Sequence, residues 1–470
     1  MSRRSHDYRG RRTSWDVQTH ISVTGGDSLN MEQNQALGVR LTHRAILTIA
    51  VPVMISNVST PLIGVVDTGV VGQIPDPAYI GAVAIGSLIF TFVFWAFGFL
   101  RMGTTGLTAQ ASGAGDNDEL VTGLSRALII ALLAGVGLIL LQSPIEQVAF
   151  GLLEGSAQVE ALAREYFKVR IWAAPATLAN YALLGWFIGL GRTDIGLVLQ
   201  LVLNLSNIVL DAVFVIGFGW DVRGVALGTV IAEVLAVTVG LVIAARHLRG
   251  LGGRWQLGRV FMPQQLKRTI AINGDIMVRS VALVFAFSWF TAQGARQGEV
   301  ILAANAVLMH FVSMSAYFLD GLAFAAEVWV GRAVGASHRA GLQAAARMTT
   351  LWSGGVAVMI SLMLAVAGTQ LIDLLTVDAA ARAAARTYLP WAEAAPLLGV
   401  WAFQLDGIFI GATRTADMRN AMLISLAVFL FAWWMLIPFE NHGLWAALYV
   451  HYLARIATLS CYYPRLVRSI

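Results

Sequence analysis

The segment FIGLGRT at residues 187–193 returns 222 positions later as FIGATRT at residues 409–415, with five of the seven residues identical. The same offset relates Tyr166 to Tyr388. A repeat of this length indicates that the chain consists of two similar halves. Because an even number of apolar spans separates the two copies, the halves are predicted to be parallel repeats, related by an axis along the membrane normal.

The composition places these halves in a membrane. Apolar residues make up 57% of the chain, charged residues 13%, and the mean hydropathy is +0.70, whereas average soluble domains have about 45–50% apolar and about 25% charged residues. Apolar runs long enough to cross about 30 Å of hydrocarbon as helices fall near residues 46–70, 79–106, 125–142, 170–190, 195–217, 224–245, 272–293, 300–330, 348–368, 390–411, 420–438 and 444–463. We predict an all-α integral membrane protein with twelve transmembrane helices in two six-helix lobes.

The polar segments predict the domain boundaries and the orientation. Residues 1–44 are polar and Arg-rich and lack the apolar core of a signal peptide, so we predict a disordered cytoplasmic tail. An N-lobe at 45–245, a cytoplasmic linker at 246–268 and a C-lobe at 269–470 follow. The two termini and the alternate loops on their side hold 22 of the 32 Lys and Arg residues. Both termini are therefore predicted to face the cytoplasm from the inner (plasma) membrane.

Several other classes of protein are disfavoured. The single cysteine, Cys461, cannot form a disulfide within the chain, and no CxxC or Cys/His cluster offers a metal site, so we expect no cofactor. The net charge of +5 is scattered over loops too short for a nucleic-acid-binding module, so no nucleic acid partner is expected. Neither HExxH nor GxSxG occurs, which disfavours an enzyme.

Six stretches of the chain carry a resemblance to a known family: PVMISN (52–57), PLIGVVDT (61–68), RMGTTGLTAQ (101–110), NIVLD (207–211), LDG (319–321) and LDGIFIGATR (405–414). They resemble the multidrug and toxic compound extrusion (MATE) family, specifically its DNA-damage-inducible protein F (DinF) branch. The resemblance runs from about residue 40 to the end and recurs in both halves. It implies a twelve-helix antiporter that exports organic cations or other amphipathic compounds against an inward flow of H+ or Na+. We expect small-molecule substrates and membrane lipid as partners, and a monomer.

The first and fifth spans contain carboxylates where hydrocarbon is expected. Asp67 lies in the outer part of the first span, in a helix that Pro52 and Pro61 allow to bend. A charged carboxylate costs several kcal/mol there, so it must face protein or a water-filled cavity. In the fifth span one helical face carries Gln200, Asn204, Asn207 and Asp211. Hydrogen bonds between helices would explain the amides, and a structural carboxylate remains an alternative at Asp67.

The resemblance assigns the family's N-lobe cation site to Asp67, Asn207, Asp211 and Thr229. Two carboxylates in a low-dielectric cavity cannot both be ionised cheaply, so one is expected to take up a proton from outside. Protonation then removes a charge and releases the substrate outward. The same oxygen ligands would suit Na+, and the branch favours H+.

The C-lobe offers a second ionisable cluster. Asp320 and Glu327 lie seven residues apart on one face of the eighth span, and Asp406 lies in the tenth. They either act directly or pair with arginines. Asp275 and Arg279, four residues apart in the seventh span, are predicted to form an ion pair with each other.

Two rival functions keep the membrane fold. A flippase for lipids or lipid-linked substrates, from the same superfamily, would need a markedly cationic central cleft for phosphate groups. An intramembrane enzyme would need a nucleophile with a base, or paired metal ligands, inside the bundle. The charges predicted to be buried are mostly acidic, which favours export of cations.

Overall fold

The computed structural model describes residues 41–152, 156–253 and 255–470, and all regular elements in these ranges are helices. Most of the predicted tail at 1–44 lies outside the described residues, as do the side chains of residues 60–63, which include Pro61. The first lobe contains α1 (His43–Val71), α2 (Pro77–Ala96), α3 (Phe99–Ala114), α4 (Asn117–Leu140), α5 (Gln142–Leu152), α6 (Ala157–Arg170), α7 (Ala174–Gly189), α8 (Thr193–Asp211) and α9 (Val222–Leu251). The short α10 (Leu257–Val260) connects it to the second lobe, which contains α11 (Pro263–Arg296), α12 (Glu299–Gly335), α13 (Arg339–Leu375), α14 (Ala379–Gly411), α15 (Thr415–Leu436) and α16 (Glu440–Arg468).

Twelve membrane-spanning segments lie within the described residues. Ten stretches are long and apolar enough to cross a membrane, and the last of them, Thr415–Arg468, contains two helices joined by a 3-10 turn at Ile437–Phe439. The helix α1, with 29 residues, supplies the twelfth. Two spans are each built from two helices, α2 with α3 and α6 with α7. The predicted all-α fold with twelve transmembrane helices in two lobes is confirmed.

The sequence of α8 explains which face it turns inward. Asn207 and Asp211 are buried, whereas Leu205 and Val209, on the other face, are about 60% exposed toward the surrounding lipid. A helix in hydrocarbon must turn its polar side chains to the bundle because lipid offers them no hydrogen bonds. Beyond Asp211 the helix continues as a π-helical turn at Ala212–Gly217, a feature that is frequent at functional sites.

Glycines let the two lobes meet closely along α3 and α12. A Cβ added at Gly113 would clash with the backbone of Arg332, and a Cβ added at Gly335 would clash with the backbone of Gln110. Small residues at such crossings allow helix backbones to approach within van der Waals contact. We call this contact the lobe seam.

Among the described residues, hydrogen bonds cross the lobe seam in both directions. Gln110 Nε2 donates to the carbonyl oxygen of Gly411 at 3.0 Å, and Arg332 Nη2 donates to the carbonyl oxygen of Leu190 at 2.6 Å. Gln110 and Arg332 occupy matching positions of the 222-residue repeat. The equivalent helices α3 and α12 therefore each donate a hydrogen bond to the other lobe. The lobes are joined at the end of the molecule where α3 and α12 terminate.

Candidate functional site

A pair of carboxyl groups lies inside the first lobe. Asp67 on α1 and Asp211 on α8 come within hydrogen-bonding range of each other. Asp211 is fully buried, and Asp67 is half-buried. The Oδ1 atom of each is buried with no hydrogen-bond donor beside it among the described residues. Two unit charges about 4 Å apart repel by about 4 kcal/mol at an effective dielectric constant of about 20. A proton held between the two groups would remove this repulsion and supply the missing donor.

Asn207 and Thr229 complete the site. Asn207 Nδ2 donates to Asp211 Oδ2 at 3.1 Å and to Thr229 Oγ1 at 3.2 Å, and the Thr229 hydroxyl donates to the carbonyl oxygen of Val225 at 3.0 Å. The backbone of α9 approaches closely, because a Cβ at Gly228 would clash with Asp211 Oδ1. The structure thus brings together all four residues that the sequence predicted for the N-lobe.

An arginine near this pair was missed at the sequence level. Arg170, the last residue of α6, interacts electrostatically with Asp67 and Asp211. Its Nη2 atom lies 3.8 Å from Glu233 Oε1 on α9. The predicted span at 170–190 begins at Arg170. A charged residue at the end of an apolar run can turn either way, and this position was the only signal in the sequence that Arg170 could turn inward.

The carboxylate of Asp406 in the second lobe is paired with two arginines. Arg279 on α11 and Arg455 on α16 both form ion pairs with Asp406 Oδ2, and all three residues are buried. The predicted pair between Asp275 and Arg279 is wrong. Asp275 Oδ1 instead accepts a hydrogen bond from Arg419 Nη1 at 2.5 Å. Spacing along one helix shows which side chains share a face, but not which partner a neighbouring helix brings closer.

The other two predicted C-lobe acids lie on α12. Glu327 Oε2 is 3.5 Å from Arg101 Nη1 of α3, so this ion pair joins the two lobes. The Arg101 guanidinium also stacks 4.0 Å from the ring centroid of Phe324. Asp320 is half-buried and forms no ion pair within 4.0 Å among the described residues, although Arg101 and Arg279 both act on it electrostatically. Three arginines therefore face the three predicted carboxylates.

The N-lobe site offers oxygen ligands but no transition-metal set. Within the described ranges, no group of three or more His, Cys, Asp or Glu side chains is suited to a metal ion. The two carboxylates, the amide of Asn207 and the hydroxyl of Thr229 can bind a proton or a hard monovalent cation. Transporters use binding of a proton or of such a cation to couple transport to an ion gradient.

Comparisons with known proteins agree with this architecture. A model of the MatE family matches residues 52–213 and again residues 276–435, one match in each lobe. DNA damage-inducible protein F of Escherichia coli (strain K12) is 40% identical over 440 residues, covering 92% of this chain and 95% of that protein. Multidrug resistance protein NorM of Photobacterium profundum is 25% identical over 342 residues, covering 70% of this chain and 72% of that protein.

A solved structure has the same fold. It is described as the outward-facing conformation of a multidrug resistance MATE family transporter of the MOP superfamily. The TM-score is 0.81 at 17% sequence identity, covering 93% of this chain and 99% of that chain. At this identity the match concerns the arrangement of the helices.

Proposed function

Since the chain belongs to the MatE family, the multidrug and toxic compound extrusion transporters, we propose that it is a secondary active antiporter that exports organic cations or other amphipathic toxic compounds. Inward movement of H+ drives this export by alternating access. The transporter sits in the inner (plasma) membrane as a monomer, with both termini in the cytoplasm. The observation that carries the proposal is the buried pair of Asp67 and Asp211, which has no structural counter-ion in direct contact among the described residues.

Around the N-lobe site there are more carboxylates than arginines to neutralise them. Arg170 interacts electrostatically with three carboxylates, Asp67, Asp211 and Glu233. It lies nearest to Glu233. An uncompensated carboxylate in the bundle is costly, so the site must take up a positive charge, as a proton, a metal ion or part of a substrate. Competition between these positive charges is what an antiporter needs.

Geometry favours the proton over Na+. Asn207 turns its amide nitrogen, a donor, toward both Asp211 Oδ2 and Thr229 Oγ1. A bound Na+ would require oxygen atoms from these side chains to point inward instead. The arrangement therefore suits carboxyl groups that share a proton.

The cluster around α12 supports cationic or amphipathic substrates rather than lipid phosphates. A flippase for phosphate-bearing lipids would need surplus positive charge in the cleft. Arg279 and Arg455 are held by Asp406, and Arg101 is held by Glu327. Asp320 has no such partner within the described part of the chain, so among these six residues one carboxylate, and no guanidinium, is left without a direct counter-ion.

The test is uptake of ethidium into everted membrane vesicles under an imposed pH gradient, acidic inside, or an imposed Na+ gradient. The parent is compared with Asp67→Asn and with Asp221→Asn. Asp221 caps the outer end of α9, where asparagine caps about as well, so this control keeps the fold and removes one carboxylate.

We expect the proton gradient to drive uptake in the parent and in Asp221→Asn, and uptake by Asp67→Asn to fall to the background. If only the Na+ gradient drives uptake, the coupling ion is Na+ and not H+. Parental uptake by Asp67→Asn would overturn the proposed site.

A further inference from the structure

Glu233 is a third buried carboxylate of the first lobe, with its own partners. It is 6% exposed and lies one turn beyond Thr229 on α9, about 6 Å further along the helix. Asn180 Nδ2 of α7 donates to Glu233 Oε2 at 2.6 Å and to the Glu233 carbonyl oxygen at 3.1 Å. A structural hydrogen bond would explain one of these contacts, but burying an ionisable group as well needs a further reason.

Arg170 stands between Glu233 and the carboxyl pair. Its guanidinium lies 3.8 Å from Glu233, forms no ion pair within 4.0 Å with Asp67 or Asp211 in the described structure, and yet acts on both electrostatically. The Arg170 Nη1 atom is buried and has no hydrogen-bond partner among the described residues. A guanidinium has five N–H donors, so the unused nitrogen of Arg170 is available to a second acceptor. One positive charge thus serves two alternative anionic sites.

Polar side chains follow one another along one face of α8, in two separate hydrogen-bonded pairs. Asn207 contacts Asp211, and Gln200 Nε2 donates to Asn204 Oδ1 at 2.8 Å on the same helical face. Gln200 and Glu233 line a cavity of about 70 Å³. A water molecule needs about 10–15 Å³ of such space and two or more polar partners, so this cavity can hold several.

Asn180 and Tyr181 of α7 complete the polar lining of this cavity. The cavity lies toward the N-terminal end of α8, the end that the distribution of positive charges predicts to be cytoplasmic. A charge passing inward from Asp211 would therefore meet Glu233 before it reached the cytoplasm.

We propose that Glu233 is the inner proton acceptor of the N-lobe. A proton leaves the carboxyl pair of Asp67 and Asp211, passes through water and hydrogen-bonding side chains to the Glu233 carboxylate, and leaves through the cavity to the cytoplasm. When Glu233 becomes neutral, Arg170 turns from it to compensate the aspartates. This inference rests on the proposed function, because it takes the aspartate pair as the outer proton site.

The repeat confines this role to the first lobe. The position 222 residues after Glu233 is Arg455, which is held in an ion pair by Asp406. An arginine stays protonated at any pH of the cell and cannot accept a proton. The second lobe accordingly lacks the acceptor.

The decisive variant is Glu233→Gln, which preserves size and the contact with Asn180 but cannot ionise. Glu165→Gln is the matched control, because Glu165 lies in the same lobe and pairs with Arg223 at a more exposed position. Two readouts are compared in everted vesicles: ethidium uptake driven by a pH gradient, and exchange of radiolabelled ethidium against unlabelled ethidium without a gradient. Exchange requires a folded protein and a working cleft but no net movement of protons.

We expect Glu233→Gln to lose about tenfold or more of the proton-driven uptake and to keep exchange at the parental rate, while Glu165→Gln keeps both. A Glu233→Gln variant with parental proton-driven uptake would overturn the inference. If that variant loses exchange as well, Asn180→Leu decides by the same two readouts, because it removes the 2.6 Å bond and fills the cavity while leaving the carboxylate in place. Selective loss of proton-driven uptake in Asn180→Leu supports the relay, and any other result rejects it.

The two proposals fail separately. Parental proton-driven uptake by Asp67→Asn rejects the proposed function. Loss of uptake in Asp67→Asn, together with parental uptake in Glu233→Gln, rejects only the inner acceptor.

Discussion

The two lobes place different chemistry at the same positions. The residues 222 positions after Asp67 and Asp211 are Trp289 and Trp433. In the first lobe the two carboxyl groups are within hydrogen-bonding range, and in the second the two indole rings contact each other edge to face, with centroids 5.2 Å apart. The repeat has kept the contact between helices and changed the side chains. Only the first lobe can bind a proton at this contact.

The contact next to this pair also has polar side chains in the first lobe and aromatic rings in the second. Asn207 and Thr229 share a hydrogen bond in the first lobe, and their counterparts, Phe429 and His451, form an edge-to-face ring contact with centroids 5.8 Å apart. Both counterparts are fully buried. Both nitrogens of His451 are buried without a hydrogen-bond partner among the described residues, so this contact depends on packing of the rings. The comparison supports a coupling role for the first lobe and a packing role for the matching region of the second.

The charges of the second lobe lie elsewhere and are paired, so the largest effect on stability is expected there. Asp406→Asn leaves Arg279 and Arg455 buried side by side without their counter-ion, which should cost about 3–5 kcal/mol. Asp67→Asn should instead leave stability unchanged or raise it, because it removes one of two like charges. Apparent Tm in detergent, followed by Trp fluorescence, measures both. Equal losses of Tm in the two variants would contradict the distinction between the lobes.

A smaller structural change should affect only the first lobe. Gly228 has no room for a Cβ beside Asp211, whereas its repeat counterpart is Val450. We expect Gly228→Ala to displace the Asp211 carboxylate and to reduce proton-driven ethidium uptake strongly. Gly354→Ala is the control, because a Cβ there meets nothing within 4 Å. Full uptake by Gly228→Ala would show that the position of Asp211 does not matter.

The smallest effect is expected at the aromatic counterpart of the site. Trp289→Phe keeps an aromatic ring against Trp433 and removes an indole nitrogen that is buried without a hydrogen-bond partner among the described residues. Stability should change by about 1 kcal/mol, and proton-driven uptake should persist. Loss of uptake comparable to that of Asp67→Asn would mean that the second lobe takes part in coupling at this position.

The sequence predicted the fold well because its signals are local or periodic. Apolar runs determine the spans, and the repeated segments at 187–193 and 409–415 determine the two lobes. The N-lobe residues were found because Asp67 interrupts an apolar span, because Asn207 and Asp211 share one helical face, and because the family resemblance added Thr229 and grouped the four. These signals need no knowledge of how helices pack.

The partners across helices were not predictable in the same way. Arg279 was assigned to Asp275 by its spacing, but packing of three helices brings it to Asp406 instead. The inward position of Arg170 was not predicted, because hydropathy does not show which way the side chain at the end of a span turns. Ion pairs in a bundle depend on helix rotation and crossing, which spacing along one helix does not show.

The most direct test of the central claim, that the first lobe carries the coupling site, is the release of protons when substrate binds. Ethidium is added to purified protein in weakly buffered detergent solution, and a pH dye reports the protons released by the parent, Asp211→Asn and Trp433→Phe. We predict release from the parent and from Trp433→Phe and none from Asp211→Asn. Parental release from Asp211→Asn, or loss of release in Trp433→Phe alone, would contradict the claim.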